Sequence, residues 1–223
     1  MCKNVRLRRQ PWARPELAAC DFFIDDPPQY KGKWQELFEN KNPMHLELGC
    51  GKGGFISKVG AANQQINYIV VDLKSEVLAH AKRKIEREYT ATGINVISNV
   101  KLMSQDIERI DNMLEATDVI EKIYINFCNP WPKSPCKKKR LTHGKQLTKY
   151  QSFLKSGGEI WFKTDNNELF QESIKYFEEN GFIIKYITED LHESGFEGSV
   201  PTEHEIMFAE EGIPIKFLIA LNK

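Results

Sequence analysis

The chain has 223 residues, of which 41% are hydrophobic, and its 31 Lys and Arg residues balance its 31 Asp and Glu residues. A chain of this length and composition can bury a full core and is most simply one domain with extensions. A net charge of zero excludes a general attraction to polyanions, so nucleic-acid binding requires local clusters of basic residues.

The N-terminal segment and the cysteines predict a cytoplasmic protein. Five basic residues, Lys3, Arg6, Arg8, Arg9 and Arg14, begin the chain, and no run of about 18 apolar residues follows. We therefore expect neither a signal peptide nor a membrane span. The five cysteines form no CxxC pair, which argues against disulfides and against a zinc site. We expect reduced thiols and no metal.

Residues 1–43 are rich in Pro, Trp and Arg and are predicted to form a basic N-terminal arm before a domain spanning 44–223. In that domain, short apolar runs alternate with helical patterns, which is typical of a parallel sheet with crossover helices. The predicted helices span 75–89 and 167–181. The predicted strands span 44–48, 66–72, 99–105, 122–127, 159–164, 182–188 and 214–222. The long connection before the last strand has little periodicity and is expected to be functional or disordered.

The stretch LELGCGKGG (46–54) fits two kinds of cofactor loop. Gly49, Gly51 and Gly54 match the dinucleotide pattern GxGxxG, whereas Glu47 with Gly49, Gly51 and Gly53 matches the ExGxGxG loop of S-adenosylmethionine enzymes. A carboxylate beside the turn repels a pyrophosphate but attracts the ammonium and sulfonium of S-adenosylmethionine. Glu47 therefore favours S-adenosylmethionine.

Two more carboxylates follow the second and third predicted strands. Asp72 is placed to accept hydrogen bonds from ribose hydroxyls, an arrangement shared with NAD enzymes, so it indicates only a nucleoside ligand. Asp106 either binds the adenine amino group or caps a helix, and the sequence leaves both roles open.

The fourth predicted strand runs into NFCNPWPKSPCKKKRLTH (126–143). Because the first and fourth strands flank the switch point of a doubly wound sheet, we expect Asn129 and Trp131 to face the glycine loop. Seven basic residues follow Trp131 without an Asp or Glu: Lys133, Lys137, Lys138, Lys139, Arg140, Lys145 and Lys149. This pattern is typical of a surface that binds a phosphate backbone.

Seven ordered motifs connect the chain to a known family. They are YKGKWQELFENKNPMHLELGCGKGGF (30–55), INYIVVDL (66–73), NPWPK (129–133), KKRLT (138–142), FKTDN (162–166), DLHES (190–194) and TEHE (202–205). In these motifs the chain resembles the bacterial tRNA (guanine-N7)-methyltransferases, the TrmB family. The resemblance implies a Rossmann-like class I S-adenosylmethionine-dependent methyltransferase fold, an α/β fold with a mostly parallel seven-stranded sheet and an antiparallel C-terminal strand.

The resemblance also implies an activity and a set of site residues. The methyltransferase domain, 44–223, would move the methyl of S-adenosylmethionine to N7 of a guanine in the tRNA variable loop. With Gly49 and Gly51 of the loop, the cofactor-binding positions are Glu47, Asp72, Asp106 and Asn129. The substrate-binding positions are Lys133, Asp165, Thr202, Glu203, His204 and Glu205. Of these residues, we predict catalytic roles for Asn129 and Asp165.

Asp165 and Glu205 are candidates to accept hydrogen bonds from guanine N1–H and the N2 amine. His204 is either a base-stacking residue or an ordinary surface histidine. Asn166, which follows Asp165, is expected to cap the next helix.

Three positions depart from the family pattern. Asn129 replaces the Asp of DPWPK, Cys136 replaces a His, and His204 replaces the Tyr of TEYE. An amide keeps the hydrogen-bonding capacity of a carboxylate but removes its charge. Two alternatives therefore stay open: an amino-methyltransferase acting on an exocyclic nitrogen of a nucleic-acid base, or a catalytically impaired tRNA-binding homologue. The sequence also leaves open whether the protein is a monomer or a homodimer.

Overall fold

The computed structural model describes residues 10–223, which form one mixed β-sheet with helices on both faces. The basic residues Lys3, Arg6, Arg8 and Arg9 lie outside the described residues. The strands are β1 (Phe23–Ile24), β2 (Met44–Leu48), β3 (Asn67–Asp72), β4 (Val100–Ser104), β5 (Ile120–Asn126), β6 (Leu154–Thr164), β7 (Ile183–Thr188) and β8 (Lys216–Leu221). Their order is β1-β4-β3-β2-β5-β6-β8-β7.

All seven predicted strands are present as β2 to β8. The predicted antiparallel C-terminal strand is β8, which runs antiparallel to both β6 and β7, whereas the other pairs are parallel. The predicted strand count is wrong by one within residues 10–223, because β1 pairs with β4 through Phe23 and Leu102. A strand of two residues is too short to show a period in the sequence.

Six α-helices lie within residues 10–223. They are α1 (Ala13–Ala18), α2 (Gly54–Ala62), α3 (Ser75–Ala91), α4 (Gly144–Gln151), α5 (Asn167–Glu179) and α6 (Glu203–Glu210). Short 3-10 helices span Pro27–Tyr30, Trp34–Phe38, Ile107–Asn112 and Ser134–Lys139. The predicted helices at 75–89 and 167–181 correspond to α3 and α5. In the described part of the chain, we find no helix with the length and apolar character to cross a membrane.

Helix α6 lies in the long connection for which the sequence predicted no regular structure. A capping box starts it: the Thr202 side chain accepts from Glu205 N at 3.1 Å, and the Glu205 side chain accepts from Thr202 N at 3.2 Å. The spacing T-x-x-E in TEHE is the sequence signal for this cap.

The alternation of side chains along the strands builds a core on each face of the sheet. Leu46, Ile69 and Ile123 are fully buried against the face that carries α4 and α5. Tyr68 and Val70 are fully buried on the opposite face, beneath α2 and α3. Burial on both faces explains the continuous apolar run of β3, from Tyr68 to Val71.

The segment before β2 packs into this core. Trp34 is fully buried, and its Nε1 donates to the Met113 carbonyl oxygen at 2.7 Å. The Asp118 carboxylate accepts from the backbone nitrogens of Gly32 and Trp34 at 2.7 and 3.1 Å. These contacts join residues 32–34 to the loop between β4 and β5.

Replacing this anchor will destabilise the whole domain. We expect Trp34→Ala to lower the free energy of unfolding by about 3–5 kcal/mol, because it leaves a cavity and an unpaired carbonyl. Urea denaturation measures this loss. The control is Trp12→Ala, since Trp12 is 37% exposed and stacks on the Arg83 guanidinium. Its expected cost is about 1 kcal/mol, and equal costs for both variants would contradict the assignment.

Candidate active site

The carboxyl ends of the central parallel strands open into a cavity of about 690 Å³. Its walls come from the glycine loop after β2, from Asp72 after β3, and from residues 126–129 after β5. Thr202, Glu203 and His204 at the start of α6 close another side. A doubly wound sheet places its ligand at this edge, where the strand order reverses.

The glycine loop is shaped by close packing between α2 and α3. Gly53 has φ +77°, and a Cβ on it would lie 2.8 Å from Ala81 Cα. Gly51 has φ +54° with open space where a Cβ would point, so its backbone is accessible from the cavity. Both positions require glycine for these reasons. The N-terminus of α2 therefore lies at the cavity wall, with the Glu203 side chain packed against Gly54.

Asp72 is held by the loop that it faces. One carboxylate oxygen accepts from Gly51 N at 3.0 Å and the other from Lys74 N at 3.1 Å. Burial raises the pKa of Asp72, and these backbone hydrogen bonds oppose the rise. The carboxylate is thus fixed at the cavity wall with lone pairs left for ribose hydroxyls.

Glu47 is a carboxylic acid that lines the cavity and is almost completely buried. It is 1% exposed, and burial raises its pKa to about 8, while the neighbouring Asn126 amide opposes the rise and Asp72 adds to it. Within residues 10–223, Glu47 Oε2 and Asn126 Nδ2 are both buried without a hydrogen-bond partner. One buried acceptor and one buried donor at a cavity wall suit the ammonium and carboxylate of an amino-acid group. The methionine part of S-adenosylmethionine has both.

Asp106 has one of the two roles left open by the sequence. Its Oδ1 accepts from Glu108 N at 3.0 Å and caps the 3-10 helix Ile107–Asn112. The residue also lines the cavity. The cap is therefore present, and the adenine-binding role stays a prediction.

The loop after β5 faces the glycine loop as predicted. Asn129 and Trp131 both line the cavity, and Asn129 Oδ1 accepts from Trp131 N at 3.0 Å. Two non-glycine residues here have positive φ, Phe127 at 52° and Trp131 at 40°. The Lys139 ammonium lies 5.4 Å from the centre of the Trp131 ring.

The basic run after Trp131 divides into two groups. Arg140 is fully buried, so the prediction that the whole run faces a phosphate backbone is wrong for this residue. Lys137 Nζ lies 2.8 Å from Glu168 of α5, and Lys149 Nζ lies 2.8 Å from Asp111. The exposed members of the 3-10 helix region are Lys133, Lys138 and Lys139. Although the basic run contains no Asp or Glu, the fold brings acidic residues from other elements next to two of its lysines.

At the start of helix α6, three residues of the TEHE segment line the cavity and the fourth is buried in the protein. His204 lines the cavity and stacks on Phe127, with ring centres 5.6 Å apart and planes 25° apart. Glu203, also on the wall, pairs with Lys84 of α3. Glu205 is 2% exposed, and its Oε2 accepts from Lys163 Nζ at 2.8 Å.

Three of the predicted site residues lie outside the residues that line the cavity: Lys133, Asp165 and Glu205. Asp165 is exposed at the end of β6, next to Asn166, which caps α5 by accepting from Leu169 N at 2.8 Å as expected. The sequence interpretation missed Asn126, because an amide at the end of an apolar strand has no distinguishing pattern. It also missed Lys163, whose partner Glu205 is 42 residues away.

Comparison with known proteins agrees with this geometry. A family model described as "Putative methyltransferase" matches residues 41–218. The tRNA (guanine-N(7)-)-methyltransferase of Ruminiclostridium cellulolyticum is 74% identical over 98% of this chain and 93% of its own length. The protein of the same name from Clostridium botulinum strain Alaska E43 is 58% identical over 98% of this chain and its full length.

Solved structures share the fold at low sequence identity. The 16S rRNA methyltransferase KamB has a TM-score of 0.60 at 12% identity, over 86% of this chain and 93% of its own. An antibiotic-related methyltransferase has a TM-score of 0.58 at 18% identity, over 83% of this chain and 90% of its own. These likenesses confirm the predicted methyltransferase fold. On the identity to its sequence relatives, the chain belongs to the tRNA (guanine-N7)-methyltransferase family.

Proposed function

We propose that this protein transfers the methyl group of S-adenosylmethionine to N7 of a guanine in the variable loop of tRNA. The observation that carries the cofactor is the buried carboxylate of Glu47 beside the glycine turn, whose Oε2 has no hydrogen-bond partner among residues 10–223. The substrate follows from the relatives, which are named tRNA (guanine-N(7)-)-methyltransferases at 74% and 58% identity.

We assign three parts of the cofactor, the methionine end, the ribose and the adenine, to different residues around the cavity. We assign the methionine ammonium to Glu47, with Asn126 beside it. Gly49 and Gly51 shape that end of the cavity, since their N–H groups donate to Val71 O and to the Asp72 carboxylate. Asp72 binds the ribose, and Asp106 binds the adenine amino group beside its cap. When bound, S-adenosylmethionine supplies a methyl group activated by a positive sulfonium.

The reaction asks little acid–base chemistry of the protein. Guanine N7 has an in-plane lone pair and carries no proton, so its attack on the methyl carbon needs no general base. Alignment of donor and acceptor contributes up to about 7–11 kcal/mol to lowering such a barrier. Asn129, on the cavity wall, and Asp165, at the end of β6, are our catalytic residues. Asn129 orients the reactants, and the Asp165 carboxylate offsets the charge that moves onto the purine.

We propose that tRNA docks on the exposed side of the loop after β5. Lys133, Lys138 and Lys139 are exposed there and bind phosphates, which sets the register of the RNA. Asp165, Thr202, Glu203 and His204 recognise the guanine, with His204 stacking on a base. Glu205 does not have the guanine-binding role expected from the sequence, because it is buried and its Oε2 accepts from Lys163 Nζ. The basic arm, 1–43, adds phosphate contacts to the methyltransferase domain, 44–223.

The two alternative functions predict different products. An amino-methyltransferase needs the Asn129 oxygen to accept a hydrogen bond from an amine; this oxygen accepts from Trp131 N and has one lone pair left. The test is to incubate the purified protein with labelled S-adenosylmethionine and tRNA, then locate the methyl by mass spectrometry. N7-methylguanosine supports the proposal, an exocyclic N-methyl base supports the first alternative, and cofactor binding without transfer supports an impaired homologue.

Restoring the family carboxylate at position 129 tests the electrostatic part of the mechanism. We expect Asn129→Asp to preserve kcat or raise it by up to about tenfold, about 1.4 kcal/mol, because a negative charge stabilises the cation forming on the purine. Single-turnover rates measure this effect. The control Asn129→Ala loses the bond to Trp131 N and should lower kcat. A loss of activity in Asn129→Asp would refute the role given to this position.

Neutralising the exposed lysines should weaken RNA binding alone. We expect Lys133→Gln with Lys138→Gln, two exposed lysines outside the cavity wall, to reduce the slope of log affinity for tRNA against log salt by up to about 2. The affinity for S-adenosylmethionine should stay unchanged. The control replaces Lys155 and Lys185 by Gln, two exposed lysines paired with Glu121 and Glu159. An equal loss of cofactor affinity would show that the loop has another role.

The raised pKa of Glu47 predicts a pH dependence of cofactor binding. Burial keeps Glu47 protonated below about pH 8, and the ammonium must displace that proton. Affinity should therefore rise between pH 6 and 8, by up to about tenfold per unit. Above about pH 8 it should fall as the ligand's own amino group loses its proton.

Calorimetry in two buffers of different ionisation enthalpy measures the proton released on binding. Glu47→Gln should bind S-adenosylmethionine more weakly and release no proton. A matched control is Asp106→Asn, which should keep the proton release of the wild type. An affinity that is flat from pH 6 to 8 in the wild type would rule out the ammonium contact.

A further inference from the structure

Arg140 has an environment that an RNA-binding arginine would not have. It is fully buried and ranks among the largest buried side chains of the described residues, although it ends a run of four basic residues, 137–140. Exposed phosphates cannot reach a guanidinium in that position. Arg140 therefore acts inside the protein, unlike its exposed neighbours Lys138 and Lys139.

The guanidinium of Arg140 connects two parts of the site. Its Nε donates to the Pro130 carbonyl oxygen at 2.6 Å. Its Nη1 donates to Glu172, and its Nη2 lies 3.5 Å from Glu168, both on α5. Lys137 also pairs with both glutamates. The loop after β5 is thus attached to α5 through one buried cation and a pair of carboxylates.

The loop segment that Arg140 contacts has an unfavourable backbone conformation. Pro130 lies between Phe127 and Trp131, whose φ values of 52° and 40° are rare for non-glycine residues. Such conformations persist only where surrounding contacts hold them, and they cluster at functional sites. The Arg140–Pro130 bond supplies such a contact. Asn129 and Trp131, on the cavity wall, are positioned by the same segment.

We propose that Arg140 is a positioning residue for methyl transfer, which holds the loop carrying Asn129 and Trp131 against α5 and makes no contact with RNA. The inference rests on the proposed function. The planar fork of arginine reaches the Pro130 oxygen and the carboxylates together, whereas a lysine offers one point charge. A shift of the loop by about 1 Å is enough to lower the rate of a proximity-driven reaction by about a hundredfold.

The test compares steady-state kinetics of four variants and a control on tRNA. Arg140→Lys should lower kcat about 10- to 100-fold while KM for tRNA and the salt dependence of binding stay within twofold. Glu172→Gln should lower kcat less, and the double variant should be non-additive, because both changes act on one network. Lys138→Gln should do the reverse, raising KM with kcat retained. The matched control is Arg83→Lys, which alters a bidentate pair with Glu16 far from the loop.

A second readout does not depend on activity. Amide hydrogen exchange of peptides covering 127–133 should become at least tenfold faster in Arg140→Lys, with α3 protected as in the wild type. A raised KM and a smaller salt slope in Arg140→Lys would overturn the inference in favour of phosphate binding, and so would unchanged kcat and exchange. If Arg140→Lys does not fold, the same measurements of kcat, KM, salt slope and amide exchange on Glu172→Gln test the inference. Absence of N7-methylguanosine with the wild type would instead refute the proposed function and leave the exchange test standing.

Discussion

The buried carboxylate of Glu47, near the end of the central strand β2, is the constraint around which the site is organised, because its Oε2 has no hydrogen-bond partner in the described part of the chain. A buried acid without a partner destabilises a fold and keeps its proton near neutral pH. A cation brought by a ligand removes both penalties. The glycine turn and Asp72 line the same cavity, which is why we assign the nucleoside and amino-acid ends of one cofactor to these groups.

Acids and bases are paired differently on the two sides of the cavity. On the α5 side, Glu168 and Glu172 form ion pairs with Lys137 and Arg140. Two of the four basic residues in 137–140 therefore stabilise the fold and are not free to bind phosphates. On the α6 side, Lys163 pairs with buried Glu205 and fixes the start of the helix. A chain with a net charge of zero thereby keeps an exposed positive surface small and local. Such a surface steers a polyanion to one place.

The parts of the site that the sequence predicted share one physical origin. Glu47 and Asp72 lie at the carboxyl ends of β2 and β3, and Asn129 follows β5. Parallel strands bring these ends to one edge of the sheet. Helix α6 was missed although its capping box is local and readable in TEHE. The burial of Arg140 could not be predicted, because the acids that neutralise it are 28 and 32 residues away on α5.

The amide at position 129 changes how catalysis is shared among these residues. Methyl transfer moves one positive charge from sulfur to the purine, and carboxylates close to that path stabilise it. We assign Glu47 to the ammonium and Asp72 to the ribose, so the acids that we assign to the substrate side are the exposed Asp165 and Glu203 on the cavity wall. With Asn129 neutral, more of the barrier must be lowered by alignment than by charge. A rigid loop then contributes more to the rate of methyl transfer. We infer that Arg140 provides this rigidity through its bond to Pro130, between the strained residues Phe127 and Trp131.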